Sequence, residues 1–401
     1  AGGENSSYRV SLGYTDQEGI IKESGIKKYN AALNSNFEFL NDKAGIDIKL
    51  ITNHTTEAVA PISSNAGFTG NLVGQALQWN PTIPLMSNGS FTTATNNSTS
   101  ATVGSTTINP LQLLAAHSED ANTTTLMGSI SPYFNFTDNL TYRYLYGVNY
   151  GAGTTRGGIK GFVNVQGIEN RGLAAISNTT LTSQIHTHTL NYNTDLNDQI
   201  SFGALIGYEY QKFDFRGHAA GAFGFDVLDF DNVNALQNTS PEDRVVFSYA
   251  DPISELQSQF ARLNFNVNDL YLLTATVRRD GSSKFGDNNR YGIFPSVAFA
   301  YNAHNGILSG SGFNEFKLRL GWGQTGNQEF PAGASQERYN LNPGGGASQE
   351  NAANPDLKWE TSTTMNIGID FALFDYKLSG VIEYFNRSTE DLLLDPFVSE
   401  P

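Results

Sequence analysis

The sequence has 401 residues, with 24 basic against 39 acidic side chains, a formal charge of −15 and no cysteine. That excludes disulfides, thiolate metal centres and a cysteine nucleophile, and argues against a nucleic-acid surface, which needs a basic footprint. Aromatic residues reach 12% and glycine 40 positions while charged residues stay at 16%, unlike an average soluble enzyme.

The opening AGGENSSYRV has no basic region, apolar core or cleavage site of a signal peptide. No run approaches the ~18 apolar residues of a membrane helix, so a helical membrane protein is excluded. A β-barrel is not, because its hydropathy signal is much weaker.

The dominant period is two. Near the start, Tyr8, Val10, Leu12 and Tyr14 alternate with Arg9, Ser11, Gly13 and Thr15. Tyr142, Tyr144, Tyr146, Val148 and Tyr150 alternate with Arg143, Leu145, Gly147 and Asn149. Tyr271, Leu273, Ala275 and Val277 oppose Leu272, Thr274, Thr276 and Arg278. Later, Met365, Ile367, Ile369 and Phe371 oppose Asn366, Gly368 and Asp370, and Tyr376 to Tyr384 alternates with Lys377 to Glu383. Such patterns predict strands with one apolar and one polar face. About thirteen segments qualify, at 6–15, 26–40, 44–54, 126–137, 140–151, 183–194, 199–213, 256–266, 269–280, 291–302, 314–325, 361–373 and 376–388. Most run roughly 10–13 residues, longer than soluble strands and suited to tilted membrane strands.

Tight connections such as Asn41-Asp42-Lys43 and Phe374-Asp375 alternate with long ones. Short turns at one end and long loops at the other predict an all-β fold, a transmembrane antiparallel β-barrel, with extracellular loops at about 55–125, 152–182, 214–255 and 326–360. Aromatics near strand ends fit interfacial girdles or simple strand propensity. Arg143, Lys377 and Glu383 fall on polar faces and are expected to line the lumen, since a lipid-facing charge costs ~2–4 kcal/mol at mid-depth. In the first long loop, Asn109 to His117 is compatible with a short helix opened by Pro110.

Chemistry-bearing groups are sparse. Arg278, Arg279, Asp280, Lys284, Asp287 and Arg290 read as one charged rim network, holding loop geometry or meeting ligand. His186 and His188 share a face and suggest either a metal pair or plain luminal histidines. Asp226, Asp229 and Asp231 suggest calcium or a solvated loop, without the twelve-residue hand spacing. Nothing places two carboxyls across a cleft, and no phosphate loop is present, so neither an enzyme nor a cofactor is expected. Trp79 is the best tryptophan for a ligand contact, because stacking platforms suit sugars and apolar peptide side chains.

Several motifs resemble one family. Leu273-Thr-Ala-Thr-Val-Arg-Arg-Asp-Gly-Ser-Ser-Lys-Phe-Gly286, Phe294-Pro-Ser-Val-Ala-Phe-Ala-Tyr301, Leu318-Arg-Leu-Gly-Trp-Gly-Gln-Thr-Gly-Asn327 and Asn354-Pro-Asp-Leu-Lys-Trp-Glu-Thr-Ser-Thr363 resemble SusC/RagA-like TonB-dependent transporters of Bacteroidota. Phe385 to Leu393 fits too, and Tyr8 to Ile21 looks like the early barrel strand after the plug. Trp322 and Trp359 lie inside these motifs, which implies structural roles for both. The resemblance implies a plugged 22-stranded barrel, energised through TonB and capped by a SusD-like lipoprotein, that imports glycans or peptides. This sequence lacks the plug and TonB-contacting segments, so residues 1–401 are expected to be a partial barrel domain completed by other strands and a plug within the outer membrane. A passive porin and a secreted structural or adhesion β-protein are the competing readings.

Overall fold

The computed structural model describes residues 2–3, 5–63, 70–104, 106–165, 171–342 and 344–393. All the period-two segments are strands: β1 (Ser6–Glu18), β2 (Gly25–Phe39), β3 (Ala44–Ala58), β4 (His117–Thr137), β5 (Leu140–Ile159), β6 (Leu173–Asn197), β7 (Ile200–Phe223), β8 (Ser254–Val267), β9 (Tyr271–Ser282), β10 (Tyr291–Asn302), β11 (Phe313–Asn327), β12 (Glu360–Leu373) and β13 (Leu378–Glu390). Each pairs antiparallel with its chain neighbours in one 15-stranded sheet, which also takes in the short strands Gly2–Gly3 and Arg244–Ala250. The sheet is open, ending at β13 and at β1 with Gly2–Gly3 on its far side.

At one end the connections are tight. Leu40, Asn41 and Asp42, then Asn268 and Asp269, then Phe374, Asp375 and Tyr376 all take left-handed φ between 54° and 65°. Asn and Asp tolerate that region because their short side chains bond locally, and turns of this hand match strand twist.

At the other end the strands overshoot. β4 to β7 run 21, 20, 25 and 24 residues, while roughly 9–11 suffice to cross a bilayer. The spans read as loops at 55–125, 152–182 and 214–255 therefore begin and end in strand, leaving connections at 59–116, 160–172 and 224–253. Within the last of these, Arg244–Ala250 pairs back onto β7. The fourth loop holds a hairpin of Arg338–Leu341 and Ala347–Asn351. These extensions escaped period-two reading because Thr, Gly, Asn and Ala occupy both faces, so the hydrogen-bond ladder continues without apolar alternation.

Register sorts the side chains onto two faces. One face carries Phe202, Ala204, Ile206, Tyr208 and Tyr210 on β7, Tyr271 to Val277 on β9, and Phe371 to Met365 on β12. Ile206, Ile293 and Ile382 are 59%, 62% and 65% exposed here. Among the described residues nothing packs over this face, and an apolar face this long suits an apolar solvent. Aromatic rows bound it: Phe202 on Phe265 and Tyr271 on Tyr301 near the tight turns, with ring centroids 4.9 and 5.2 Å apart, and Tyr150, Tyr208, Tyr210 and Tyr291 towards the long loops. The opposite face is polar.

Buried side chains gather at the loop end. One cluster is Ile108, Leu113, Ala116, Val163 and Val165, a second Ala174, Ala222, Phe225 and Val233, and a third Phe285, Phe294 and Trp359. Among the described residues the sheet below holds no such cluster; its order comes from the continuous backbone ladder.

Candidate functional site

The polar face is a wall of paired charges and neutral polar rows. Its charges are mostly neutralised across strands, some near the tight turns and some near the long loops. Asp47 of β3 accepts from Asn36 at 2.7 Å and pairs with Arg143 of β5, whose guanidinium also reaches Ser131 at 3.1 Å and covers the Tyr133 ring at 4.7 Å. Arg278 of β9 meets Glu209 at 3.1 Å, Asp280 at 2.7 Å and the buried Ser258 hydroxyl at 2.8 Å. Arg319 grips Asp370 with two bonds of 2.8 and 2.9 Å. Glu383 accepts from Asn366 at 3.2 Å, and Arg387 donates to Ser362 at 3.0 Å. Arg262 is on this face, and no hydrogen bond or ion pair engages it among the described residues. Two-bond pairing fixes direction as well as charge, so the pairs hold neighbouring strands in register.

Towards the long loops, β1 to β5 carry rows dominated by small polar residues. One row across β1 to β5 reads Gly13, Asn30, Asn53, Thr125 and Gly151, and the next reads Thr15, Lys28, Thr55, Thr123 and Gly153. Asn53 donates to Thr125 at 3.3 Å. Apart from Lys28, the surface presented is hydroxyl, amide and bare backbone.

Above this wall the loops fold into a crown. Helix α1 (Leu72–Gln78) is capped by Asn71, whose side chain accepts from Gly74 N–H at 2.9 Å. Helix α2 (Pro110–Ala116) is capped by Asn109, which accepts from Leu111 N–H at 3.0 Å and donates to the Leu85 and Thr92 carbonyls at 2.6 and 3.1 Å. Buried Gln75 accepts from Ile108 N–H at 2.6 Å and so ties the helices together. Polar contacts then stitch successive loops: Lys160 to Asp229 at 3.1 Å, Ser118 to Asp231 at 3.2 Å and Arg171 to Asp243 at 2.5 Å. The third cluster anchors the far side, where Trp359 lies 4.6 Å from Phe285 and 5.4 Å from Phe294, and its indole donates to the Arg290 carbonyl at 3.0 Å. Beside it, Phe330, Pro331, Arg338, Glu350, Leu357 and Leu392 line a cavity of about 800 Å³. Two exposed crown groups are tuned by neighbours. The Arg216 guanidinium holds the Asp214 carboxyl below its usual range, and the Glu337 carboxylate raises the Tyr339 phenol by accepting a hydrogen bond from it.

The residues singled out in the sequence land as follows. Arg143 and Glu383 are on the polar face. Lys377 is not: β13 begins at Leu378, and Lys377 lies in the tight turn. The period-two pattern runs through that turn because Tyr376 happens to match its phase. The six rim residues do not form one network. Arg278 and Asp280 sit on the polar face, while Arg279 sits on the apolar face, bonded to Gln259 at 2.9 Å and stacked 3.8 Å over Tyr291. Lys284 donates to the Phe330 carbonyl at 2.9 Å, and Arg290 pairs with Asp287 at 2.5 Å. Consecutive strand residues point to opposite faces, which splits any sequence-local charge cluster. Trp79 ends α1, and its indole donates to the Ile83 carbonyl at 3.0 Å.

His186 and His188 are not luminal. They share the apolar face with Tyr142, Tyr144, Tyr208 and Tyr210, and their Nδ1 atoms lie 2.8 Å from the Tyr144 and Tyr142 hydroxyls. Among the described residues no group of three metal-ligating side chains forms. Asp229 is paired with Lys160, and Asp231 accepts from Ser118 and Val233 N–H. The Thr/Asn/Gly rows were missed because none of their residues stands out alone; only register assembles them.

Known proteins place this architecture. The model of the TonB dependent receptor-like β-barrel matches residues 24–400. The TonB-dependent receptor SusC of Bacteroides thetaiotaomicron is 30% identical over 98% of this chain and 40% of its own length. The TonB-dependent receptor P26 of Formosa agariphila is 28% identical over 98% of this chain and 39% of its own. The chain thus spans about two-fifths of the curated relatives it matches. Among solved structures, the RagAB peptide transporter superposes with a TM-score of 0.83 at 22% identity, covering 99% of this chain and 44% of that one. The ferric citrate transporter FecA gives 0.55 at 10% identity, covering 97% and 47%.

Proposed function

The chain belongs to the TonB-dependent receptor-like β-barrel family, among its SusC/RagA-like members, and from that premise we propose that it forms part of the wall of an importer for oligosaccharides or peptides. It is an outer-membrane β-barrel protein, of a family of receptors and transporters rather than an enzyme class. In this reading the ends of the sheet at β1 and β13 pair with further strands of the same barrel, because an open edge is not tolerated in lipid. A plug fills the lumen, TonB supplies the energy through a segment outside this sequence, and a SusD-like lipoprotein covers the crown. Arg143 and Glu383 face the lumen, and Arg262, with no hydrogen bond or ion pair among the described residues, is a wall contact open to an acidic plug side chain.

The observation that carries the reading is the make-up of one face. Its charges are mostly paired across strands, as in Arg278 with Glu209 and Asp280 and Arg319 with Asp370, and near the loops β1 to β5 add rows of Thr, Asn and Gly. Sugar hydroxyls and peptide amides both exchange hydrogen bonds with such a surface without the desolvation cost of an ion pair. The test is uptake by the native bacterium with the full-length gene deleted and restored, using radiolabelled oligosaccharide and peptide pools. Loss of uptake of one pool, repeated when TonB is inactivated, is the expected result. Uptake that survives TonB inactivation would favour a passive porin, and uptake of both pools unchanged by deletion would remove the importer reading.

A further inference from the structure

Arg279 has no role in the wall just described, because the sheet separates it from the lumen. Its cross-strand partners are Gln259 on β8 and Ile293 on β10, both on the apolar face. Along β9 it follows Tyr271, Leu273, Ala275 and Val277 and is the first charged residue on that face. That places it where hydrocarbon gives way to headgroups, on the side of the long loops, which face the cell exterior in barrels of this kind.

The guanidinium is held ready. Tyr291 stacks 3.8 Å from its centre, and Gln259 accepts from it at 2.9 Å. The neighbouring Gly281 makes this possible, since a Cβ there would lie 2.3 Å from the Tyr291 ring. Both supports are neutral. None of the ion pairs among the described residues includes Arg279, and the nearby carboxylates Asp280 and Glu209 serve Arg278 on the opposite face. A guanidinium stacked and oriented, yet left without an anion, presents open donors in the geometry that phosphate prefers.

We propose that Arg279 is an anchoring site for a phosphate-bearing lipid of the outer leaflet, with Tyr291 and Gln259 as positioning residues. The phosphate takes the free edge of the guanidinium while the acyl chains run down the apolar strip of Val277 and Ile293. Charge complementarity at headgroup depth selects this occupant. A second protein would have to bury the cation, whereas a lipid phosphate meets it where it stands. The inference holds whichever solute is imported.

The experiment uses the full-length protein in detergent, with native mass spectrometry counting bound lipid against added lipid A, dephosphorylated lipid A and inorganic phosphate. Heat-dependent gel mobility confirms the folded barrel. Wild-type protein should keep one lipid A that the dephosphorylated form cannot displace, and Arg279→Gln should weaken it at least about tenfold. If Arg279→Gln does not fold, Gln259→Leu and Tyr291→Leu keep the cation but loosen its hold, and each should weaken lipid A about threefold. Unchanged affinity in the variants that fold, or equal binding of both lipid forms, overturns the proposal. Inorganic phosphate competing as strongly as lipid A also overturns it, by making the site one for free anions.

Discussion

The membrane wall and the loop crown are built from one chain but hold together by different means. In the wall, Ile206 and Ile293 stay open to lipid, and order comes from the ladder and from pairs such as Arg319 with Asp370. In the crown, Phe285, Leu113 and Val165 are 1%, 0% and 0% exposed, and caps such as Asn109 close the helix ends. The lesson is that one kind of substitution has opposite consequences in the two regions. Removing an apolar side chain should damage the crown and spare the wall; adding a charge should damage the wall only on its lipid side.

The largest effect should come from Trp359→Ala. It empties the third cluster and frees the Arg290 carbonyl, which costs about 3–5 kcal/mol by analogy with other buried aromatic deletions. The barrel below should keep its heat-dependent mobility while limited proteolysis cuts the loops at 283–290 and 328–359. Simultaneous collapse of both would break the distinction. Next come neighbours on one strand. Ile367 is on the lipid side of β12 and Asn366 on the luminal side beside Glu383. Ile367→Arg should cost ~2–4 kcal/mol in urea unfolding from lipid vesicles, and Asn366→Arg less than about 1 kcal/mol. Equal losses would mean the two faces have been assigned wrongly. A smaller change follows from Asn109→Ala, which removes the α2 cap for about 1–2 kcal/mol. Hydrogen exchange should quicken across residues 72–116 and remain unaltered in β9 to β12.

The wall was legible in the sequence and the crown largely was not. Alternation at Tyr271 to Arg278 survives because lipid and lumen impose opposite solvents on adjacent residues, and that contrast set every long strand within a few residues at its tight-turn end. The contrast disappears above the membrane. Thr123, Gly153 and Thr179 meet water on either face, so their strands extend without a signature. His186 and His188 misled for a related reason: an imidazole bonded to a tyrosine hydroxyl is tolerated on a face that hydropathy alone would deny it. The rim cluster misled because proximity along a strand is not proximity in space. By contrast, the α2 start was readable from Asn109-Pro110, because a cap followed by proline acts locally.

The smallest expected effect separates the regions by pH rather than by damage. Asp214 and Arg216 stand on β7 beyond the apolar band, joined by bonds of 2.9 and 2.5 Å. The pair lowers the folded-state pKa of Asp214 beneath its unfolded value of ~3.9. Its contribution is therefore complete above that value and disappears as pH falls through the folded pKa. Tyr339 has the opposite sign. Its donation to Glu337 at 2.6 Å raises the phenol, so that contribution is complete below the unfolded value of ~10 and is lost as pH rises through the folded pKa. Between pH 5 and 8 neither should move, a range to be read as roughly neutral. Arg216→Gln should return Asp214 to an ordinary carboxylate titration, followed by carbon NMR of labelled aspartate, and leave the Tyr339 titration untouched. Both groups are exposed and screened, so salt should erase these shifts while leaving the Trp359 cluster intact. A shift that persisted at high salt would mean the crown buries its charges as it buries its rings.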